Sequence, residues 1–401
     1  MSLPTAALRV IVFLLLLAFA AVPGRTAEFV DGAGRRVVLP PQVGRVMAAN
    51  QAAAVLVFML DPAKLIGWPQ PLSPEQRAYL PAKFSRLPVV GPLGGPDAAA
   101  TLDAARRLRP DLIVAMGPVV PPLVAIADQV QQQTHIPYLL LPGDIQDTSE
   151  TLRKLGTVLG VDRRGRDLRN YAEDALSALR GKLLISPAST RPRVYFGRGA
   201  DGLETGSIEA LPLADVSQAG AIDVAEGPPD QMLRVTPAQL VAWNPAVIIA
   251  ERRSFYNSLL HSTQWRGLSA VRAKHVYLAP SDPFGWIDNP PGPNRLMGLY
   301  WLTSILYPDA QQEDLRALTR DFYAKFYAVT LTDKQLGALV VPAGAPASEV
   351  QHLADVPLLS AEPPPTPGTP IMPGVPANTL PMHPPGRAGL PPAPTGPAPR
   401  Q

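Results

Sequence analysis

Four arginines, spread from residue 198 to residue 295, are the side chains best suited to bind an anion. Arg198, Arg252 and Arg253 are the strongest candidates, and Arg295 is a further one. A guanidinium group is planar and always charged, and it donates paired hydrogen bonds to oxygen anions. Because Arg252 and Arg253 are adjacent, we expect only one of them to face a ligand. Arg295 has an alternative partner in Asp288, on the same loop.

Four aromatic residues could form walls for a ligand with a rigid apolar part: Trp68, Tyr195, Tyr256 and Trp286. Trp68 could equally be packed under a loop, since tryptophan is mostly buried in folded proteins. Trp286 lies in the stretch "PFGWIDNPP", where proline and glycine restrict the backbone before an apolar helical segment. We expect this loop to lie at the edge of a cleft and to present Trp286 outward.

The candidate residues follow short apolar runs that we predict to be parallel strands. In open α/β sheets, ligands bind outside the carboxyl ends of the strands, where the loops are free to vary. Asn50 follows one such run, and Met116 ends another. The predicted ligand-binding residues are therefore Asn50, Trp68, Met116, Tyr195, Arg198, Arg252, Arg253, Tyr256, Trp286 and Arg295.

Direct metal capture and catalysis are both disfavoured by the motifs. The five histidines show no H-x-x-H or similar spacing, and cysteine is absent. The patterns of serine hydrolases, zinc proteases, dinucleotide-binding folds and P-loop proteins are also absent. We therefore expect no catalytic residue, no resident metal and no cofactor, with an enzyme on an α/β fold as a distant alternative.

The composition is that of a globular protein, and the N-terminal residues have the pattern of an export signal. Hydrophobic residues make up 46% of the 401 residues and charged residues 17%, and the net charge is only +3, which argues against nucleic-acid binding. Residues 1–27 contain Arg9 before an apolar run and small residues after it, the pattern of a secretory signal peptide. An uncleaved N-terminal anchor is the alternative. The cleavage site, near Ala20 or Ala27, stays open.

Strand and helix patterns alternate along most of the chain, which favours parallel βα units. A helical stretch at 147–183 separates two such regions and reads as one long helix, or as two around Gly160–Gly165. From residue 342 to 401, 18 of 60 residues are proline, a composition typical of disorder. We predict an α/β fold of two Rossmann-like lobes with a cleft between them: residues 28–146 and 184–335, joined by the helix, with a Pro-rich tail at 336–401.

Several segments, in their order and spacing, resemble the periplasmic substrate-binding proteins of ABC importers for iron–siderophore complexes and vitamin B12. The segments are "DGAGRRVVLP", "GRVMAAN", "KLIGWP", "RLRPDLIVAMG", "IPYLLLP" followed by the helical stretch, "LVAWNPAVIIAE" and "WRGLSAVRAKHVYLAP". The resemblance covers roughly residues 28–330. It implies two lobes held by a rigid interlobe helix, a ligand in the cleft, no catalysis, and delivery to a membrane permease.

The resemblance also implies a location and partners. We expect a periplasmic monomer that captures an iron–siderophore, because arginines suit an anionic ferric chelate. Cobalamin, haem, a nickel or cobalt chelate, and molybdate or tungstate remain alternatives. Members of the family present one acidic residue on each lobe to the permease, and Glu75 and Glu209 lie near the corresponding positions.

Overall fold

The computed structural model describes residues 27–93, 98–183, 191–206, 219–225, 232–307 and 314–340. Glu209, residues 341–401 of the predicted Pro-rich tail and all but the last residue of the predicted signal peptide lie outside these residues. Residues 336–340, which we assigned to the tail, form part of a helix with buried side chains, so the tail was predicted to begin too early. Within the described part of the chain, no helix has the length and apolar character needed to cross a membrane.

The N-terminal half is built on a three-stranded parallel sheet. A hairpin of β1 (Ala27–Val30) and β2 (Arg36–Leu39) precedes it. The sheet has the order β3-β4-β5, with strands Val46–Ala48, Leu112–Gly117 and Tyr138–Pro142. Nearly every strand residue is buried, because helices cover both faces of a parallel sheet. The helices of this half are α1 (Gln51–Leu60), α2 (Pro74–Ala78), α3 (Ala82–Ser85), α4 (Ala98–Leu108) and α5 (Pro121–Thr134).

Two helices connect the halves, so the second interpretation of this stretch is correct and a single continuous helix is wrong. They are α6 (Thr148–Val158) and α7 (Asp162–Leu183). The break lies at Gly160, whose φ of +68° is a left-handed conformation that glycine adopts without a side-chain clash. The two helices cross closely at Gly156 and Gly165, where a Cβ on Gly156 would lie 2.7 Å from the Cα of Gly165.

The C-terminal half contains a four-stranded parallel sheet of order β11-β10-β6-β8. Its strands are Arg193–Gly197 (β6), Ile222–Asp223 (β8), Val247–Ala250 (β10) and Val276–Leu278 (β11). Strands β7 (Glu204–Gly206) and β9 (Met232–Arg234) pair antiparallel beside it. The helices of this half are α8 (Pro237–Trp243), α9 (Arg253–His261) and α10 (Ser269–Arg272). The predicted α/β class with parallel sheets is confirmed.

The last helices pack against the N-terminal half. They are α11 (Arg295–Leu306), α12 (Leu315–Phe322), which continues as a π-helical turn at Tyr323–Tyr327, and α13 (Asp333–Val340). The ring of Tyr327 lies 5.9 Å from that of Phe58 in α1, and the ring of Phe284 lies 5.6 Å from that of Trp68. One hydrophobic cluster therefore includes residues from both predicted lobes. The lobe boundaries at residues 146 and 183 stay predictions.

Candidate functional site

Asn50 joins the carboxyl ends of two neighbouring strands in the N-terminal half. It is the N-cap of α1, and its Oδ1 accepts a hydrogen bond of 3.0 Å from the backbone N–H of Ala53. Its Nδ2 donates to the carbonyl oxygen of Met116 at 2.9 Å. The amide of Asn50 thus supports the helix start and the end of β4 together, and its side chain is half-buried. The side chain of Met116 is buried, so only its carbonyl group takes part here.

Gly143 extends this connection to the third strand and to α11. Its N–H donates to the carbonyl oxygen of Gly117 at 2.9 Å, and a Cβ at position 143 would lie 2.8 Å from the Cα of Gly117. Its carbonyl oxygen accepts a hydrogen bond of 3.0 Å from Nη1 of Arg295. Arg295 is fully buried, which is uncommon for an arginine. In the structure this candidate anion-binding residue is a link between elements and has no solvent-facing surface.

Glu251 organises the carboxyl end of β10. Its Oε2 accepts a hydrogen bond of 3.1 Å from the backbone N–H of Gly199, and its Oε1 accepts one of 3.0 Å from Nδ2 of Asn289. The Nε of Arg252 lies 3.4 Å from the same Oε1. The carboxylate therefore holds the loops that follow β6 and β11 against the end of β10.

Asp288 forms the most buried ion pair of this region. Its Oδ2 lies 2.6 Å from Nε of Arg198, and its Oδ1 accepts a hydrogen bond of 2.7 Å from the N–H of Asn289. Burial raises the pKa of the Asp288 carboxyl group, and the positive charge of Arg198 opposes that shift. We expected Asp288 to be an alternative partner of Arg295. The structure pairs it with Arg198, and the charge of Arg295 also lowers its pKa.

Trp286 points into the protein, so the expectation that the loop presents it outward is wrong. The indole ring is fully buried, and its Nε1 donates to the hydroxyl oxygen of Tyr323 at 3.2 Å. Two glycines make room for this inward fold. A Cβ on Gly298 would lie 2.0 Å from the carbonyl oxygen of Trp286, and one on Gly285 would lie 1.5 Å from the carbonyl oxygen of Asp288. The loop is thus pressed against the first turn of α11.

The other predicted aromatic walls are also covered by protein atoms. Trp68 donates from Nε1 to the carbonyl oxygen of Phe84 at 2.9 Å, which is the packing alternative considered for it. The hydroxyl group of Tyr195 donates to the carbonyl oxygen of Gly202 at 2.8 Å. Tyr256 is 4% exposed. None of these rings offers a face to a ligand, because each is almost fully enclosed by protein atoms.

Arg252 and Arg253 remain accessible at the start of α9. Both are exposed, and Arg252 is the N-cap of the helix. No side chain within the described residues caps this helix end. Burial and the negative charge of Glu75 raise the pKa of the Asp282 carboxyl group, and the positive charge of Arg253 lowers it. The predicted permease contact Glu75 is exposed and accepts a hydrogen bond of 2.8 Å from the hydroxyl group of Ser73.

The site therefore consists of polar groups at the carboxyl ends of both parallel sheets. Asp288, Asn289, Glu251 and Gly143 were not among the predicted site residues, although each follows a strand by the same rule that selected Asn50. In the described residues, no group of three or more histidine, cysteine or acidic side chains is placed to hold a metal ion. The arrangement suits an anion held by arginines and backbone N–H groups.

Comparisons with known proteins agree with this architecture. The family model described as "Periplasmic binding protein" matches residues 70–283. The molybdate-binding protein MolA of Haemophilus influenzae is 24% identical over 342 residues, which cover 78% of this chain and 93% of MolA. A solved structure of MolA bound to molybdate has a TM-score of 0.64 at 20% identity, covering 76% of this chain and 99% of that one.

A second solved structure is more similar in both sequence and fold. It is an ABC transporter solute binding protein from Sulfurospirillum deleyianum, with a TM-score of 0.70 and 28% identity over 77% of this chain and 97% of its own. The expected two-lobe binding-protein fold is confirmed by these matches. The chain belongs to the periplasmic binding protein family, the substrate-binding components of ABC importers, and it is a binding protein and not an enzyme.

Proposed function

We propose that this protein captures a small tetrahedral oxyanion of the molybdate and tungstate type and delivers it to an ABC permease. The observation that carries the proposal is the amino end of α9, where Arg252 and Arg253 are exposed and no described side chain caps the helix. Free N–H groups and the helix dipole at such an end attract anions, and guanidinium groups add charge-assisted hydrogen bonds.

Other helix starts support the same ligand charge. Helices α1 and α5 begin directly after β3 and β4, so their positive ends lie on the side of the sheet where the strands end. The N-cap of α5, Val120, makes no side-chain capping bond. The similarity to the molybdate-binding protein MolA, which extends over most of both chains, adds a reason to choose molybdate among the anions.

The burial of the aromatic residues favours a small ligand. A large chelate with a flat apolar part needs open aromatic surface, and the rings of Trp68, Tyr195 and Trp286 are enclosed in the protein. An inorganic oxyanion needs only a few converging donors.

A ferric chelate such as an iron–siderophore is the second candidate. The exposed, adjacent side chains of Arg252 and Arg253 favour this candidate, because they suit the charged end of a large ligand that extends out of the cleft. Solved neighbours include a periplasmic heme-binding protein from Roseiflexus, with a TM-score of 0.52 and 19% identity over 67% of this chain and all of that one, a likeness of fold alone. Cobalamin and a nickel or cobalt chelate would require the same open surface.

We further propose that residues 1–27 direct export, that the mature protein is a periplasmic monomer, and that it needs no cofactor beyond its cargo. Glu75 and Glu209 are proposed to contact the permease, one from each lobe. The rigid interlobe connection proposed for residues 147–183 would limit the closure of the cleft.

Thermal unfolding with a ligand panel tests the ligand class. The panel contains molybdate, tungstate, sulfate, a ferric catecholate, ferric citrate, haem and cobalamin. A ligand that binds only the folded state raises the melting temperature in a concentration-dependent way. We expect molybdate and tungstate to raise it most. A rise with the ferric chelates alone would replace the proposal by the second candidate.

A further inference from the structure

Asp288 places a negative charge next to the site that we propose for an anion, because its neighbour Asn289 and Arg252 both contact Glu251. Its side chain is 3% exposed, and its Oδ2 lies 2.6 Å from Nε of Arg198. The side chain of Arg198 is itself 25% exposed, so part of the guanidinium group faces solvent. Its Nη1 lies 2.9 Å from the sulfur of Met232, a weak acceptor, which leaves the guanidinium group without a second carboxylate within the described residues.

Within the part of the chain that the structure describes, the charged groups that act on Asp288 belong to the same cleft edge. Arg198 follows β6, Glu251 ends β10 and Arg295 begins α11. Burial raises the pKa of Asp288, and the negative charge of Glu251 raises it further, while Arg198, Arg295 and the N–H of Asn289 oppose the rise. The carboxylate of Asp288 thus lies among one other acid, Glu251, and two arginines, and its side chain is almost fully buried.

An oxyanion that binds Arg198 must compete with this carboxylate. Two negative charges in a desolvated site repel each other, and one of them gains by taking up a proton. We propose that Asp288 sets the charge that the site accepts, so that a doubly charged oxyanion is captured together with one proton held on the Asp288 carboxyl group. The inference rests on the proposed function and adds the charge state of its ligand.

Calorimetry in buffers of different ionisation enthalpy measures the proton directly. Molybdate is titrated into the full protein between about pH 6 and about pH 8, and the buffer dependence of the heat gives the number of protons taken up per anion. We expect uptake approaching about one proton, and an affinity that falls as pH rises by up to about tenfold per pH unit. Binding of molybdate without proton uptake would overturn the inference.

The variant Asp288→Asn tests whether the proton is taken up by the Asp288 carboxyl group or by the anion. Asparagine keeps an Oδ1 acceptor for the N–H of Asn289, so the loop retains that hydrogen bond. We expect tighter binding at about pH 8, by about tenfold, and no proton uptake. Weaker binding would show that Asp288 only positions Arg198, and proton uptake that persists would place the proton on the anion. Either result contradicts the proposal.

Asp201→Asn is the matched control. Asp201 is also an acid beyond the end of β6 and is ion-paired with Arg234, but its side chain is 45% exposed. We expect this variant to keep the affinity, the proton count and the pH dependence of the unmodified protein. If the unmodified protein binds neither molybdate nor tungstate, the proposed function fails together with the inference. Binding without a proton overturns the inference alone.

Discussion

Arg295 donates from Nη1 to the carbonyl oxygen of Gly143 at 3.0 Å, and this bond ties the first turn of α11 to the loop after β5. Gly143 in turn donates to Gly117, at the end of β4. Asp288, on the loop that leads into α11, is paired with Arg198 at the end of β6. Polar contacts from the N-terminal sheet therefore reach Arg295, and those from the C-terminal sheet reach Asp288 on the loop that precedes α11. We expect the proposed anion site to lie against these contacts.

Replacing Trp286 should affect stability and leave ligand binding nearly unchanged. The variant Trp286→Ala removes a fully buried indole ring and its hydrogen bond to Tyr323. We expect the free energy of unfolding to fall by about 3–5 kcal/mol, measured by urea denaturation. Trp286→Phe should lose less, because it keeps most of the ring.

The affinity of the Trp286→Phe variant for molybdate provides the contrast. We expect it to stay within about twofold of the unmodified protein, since a change of about 0.4 kcal/mol is within the spread of remote substitutions. A stable variant that binds molybdate at least tenfold more weakly would show that Trp286 does contribute to ligand binding.

The strands could be predicted well, whereas the orientation of single side chains could not. Buried runs such as 111–117 are apolar, short and bounded by proline or glycine, so their strand character and their position at a sheet edge follow from local chemistry. Trp286 is different, because a tryptophan in a loop suits both a ligand wall and a core. The residue that indicates the buried position is Gly298 in α11, because its missing side chain leaves room for the carbonyl group of Trp286.

Charged partners were equally hard to predict. Asp288 stands near Arg295 in the sequence, but it pairs with Arg198 because the loop after β11 turns toward the end of β6. Sequence distance does not encode that turn. The arginines at the start of α9 were predicted from the strand-end rule alone, and the structure keeps both of them exposed.

The crossing of α6 and α7 should tolerate no side chain at Gly156. An added Cβ would lie 2.7 Å from the Cα of Gly165, and backbone atoms cannot move aside cheaply. We expect Gly156→Ala to lower the free energy of unfolding by about 1–3 kcal/mol. Gly181→Ala is the control on α7, where no atom lies within 4 Å, and it should stabilise the protein by up to about 1 kcal/mol. Equal effects of the two variants would contradict the close crossing.

Asp223 should make the stability depend on pH. Burial raises the pKa of its carboxyl group to about 6, and its Oδ2 has no hydrogen-bond partner within the described residues. The folded protein then binds the proton more tightly than the unfolded chain, so this group lowers the free energy of unfolding as pH rises from about 4 to about 6. We expect Asp223→Asn to stabilise the protein by about 2 kcal/mol at about pH 7.

The stabilising effect should disappear at about pH 4, where the carboxyl group is protonated in the folded state. Asparagine keeps the Oδ1 acceptor for the N–H of Ala225, so the turn is preserved. Asp103→Asn, an exposed acid on α4, is the control and should change stability by no more than about 0.5 kcal/mol at either pH. A constant effect of the Asp223 variant across pH would contradict the assignment.

Reversing the charge of Glu75 together with that of Glu209 should reduce import without changing ligand affinity. Glu75 is fully exposed, and its pKa is lowered by its own backbone N–H and by the hydroxyl group of Ser73, so it stays ionised at neutral pH. We expect uptake in cells to fall at least several-fold in the Glu75→Arg, Glu209→Arg variant. Glu173→Arg, on α7, serves as the control with normal uptake. Unchanged uptake in the double variant would remove the proposed docking role.

Isothermal titration of molybdate into the protein and into the variant Arg252→Ala, Arg253→Ala tests the central claim most directly. We predict saturable binding of one anion by the unmodified protein and a loss of about 100-fold or more in the double variant, because the charge-assisted binding at the start of α9 disappears. Arg266→Ala, an exposed arginine beyond the other end of α9, should bind normally. Absence of molybdate binding by the unmodified protein, or equal affinity in the double variant, would contradict the account.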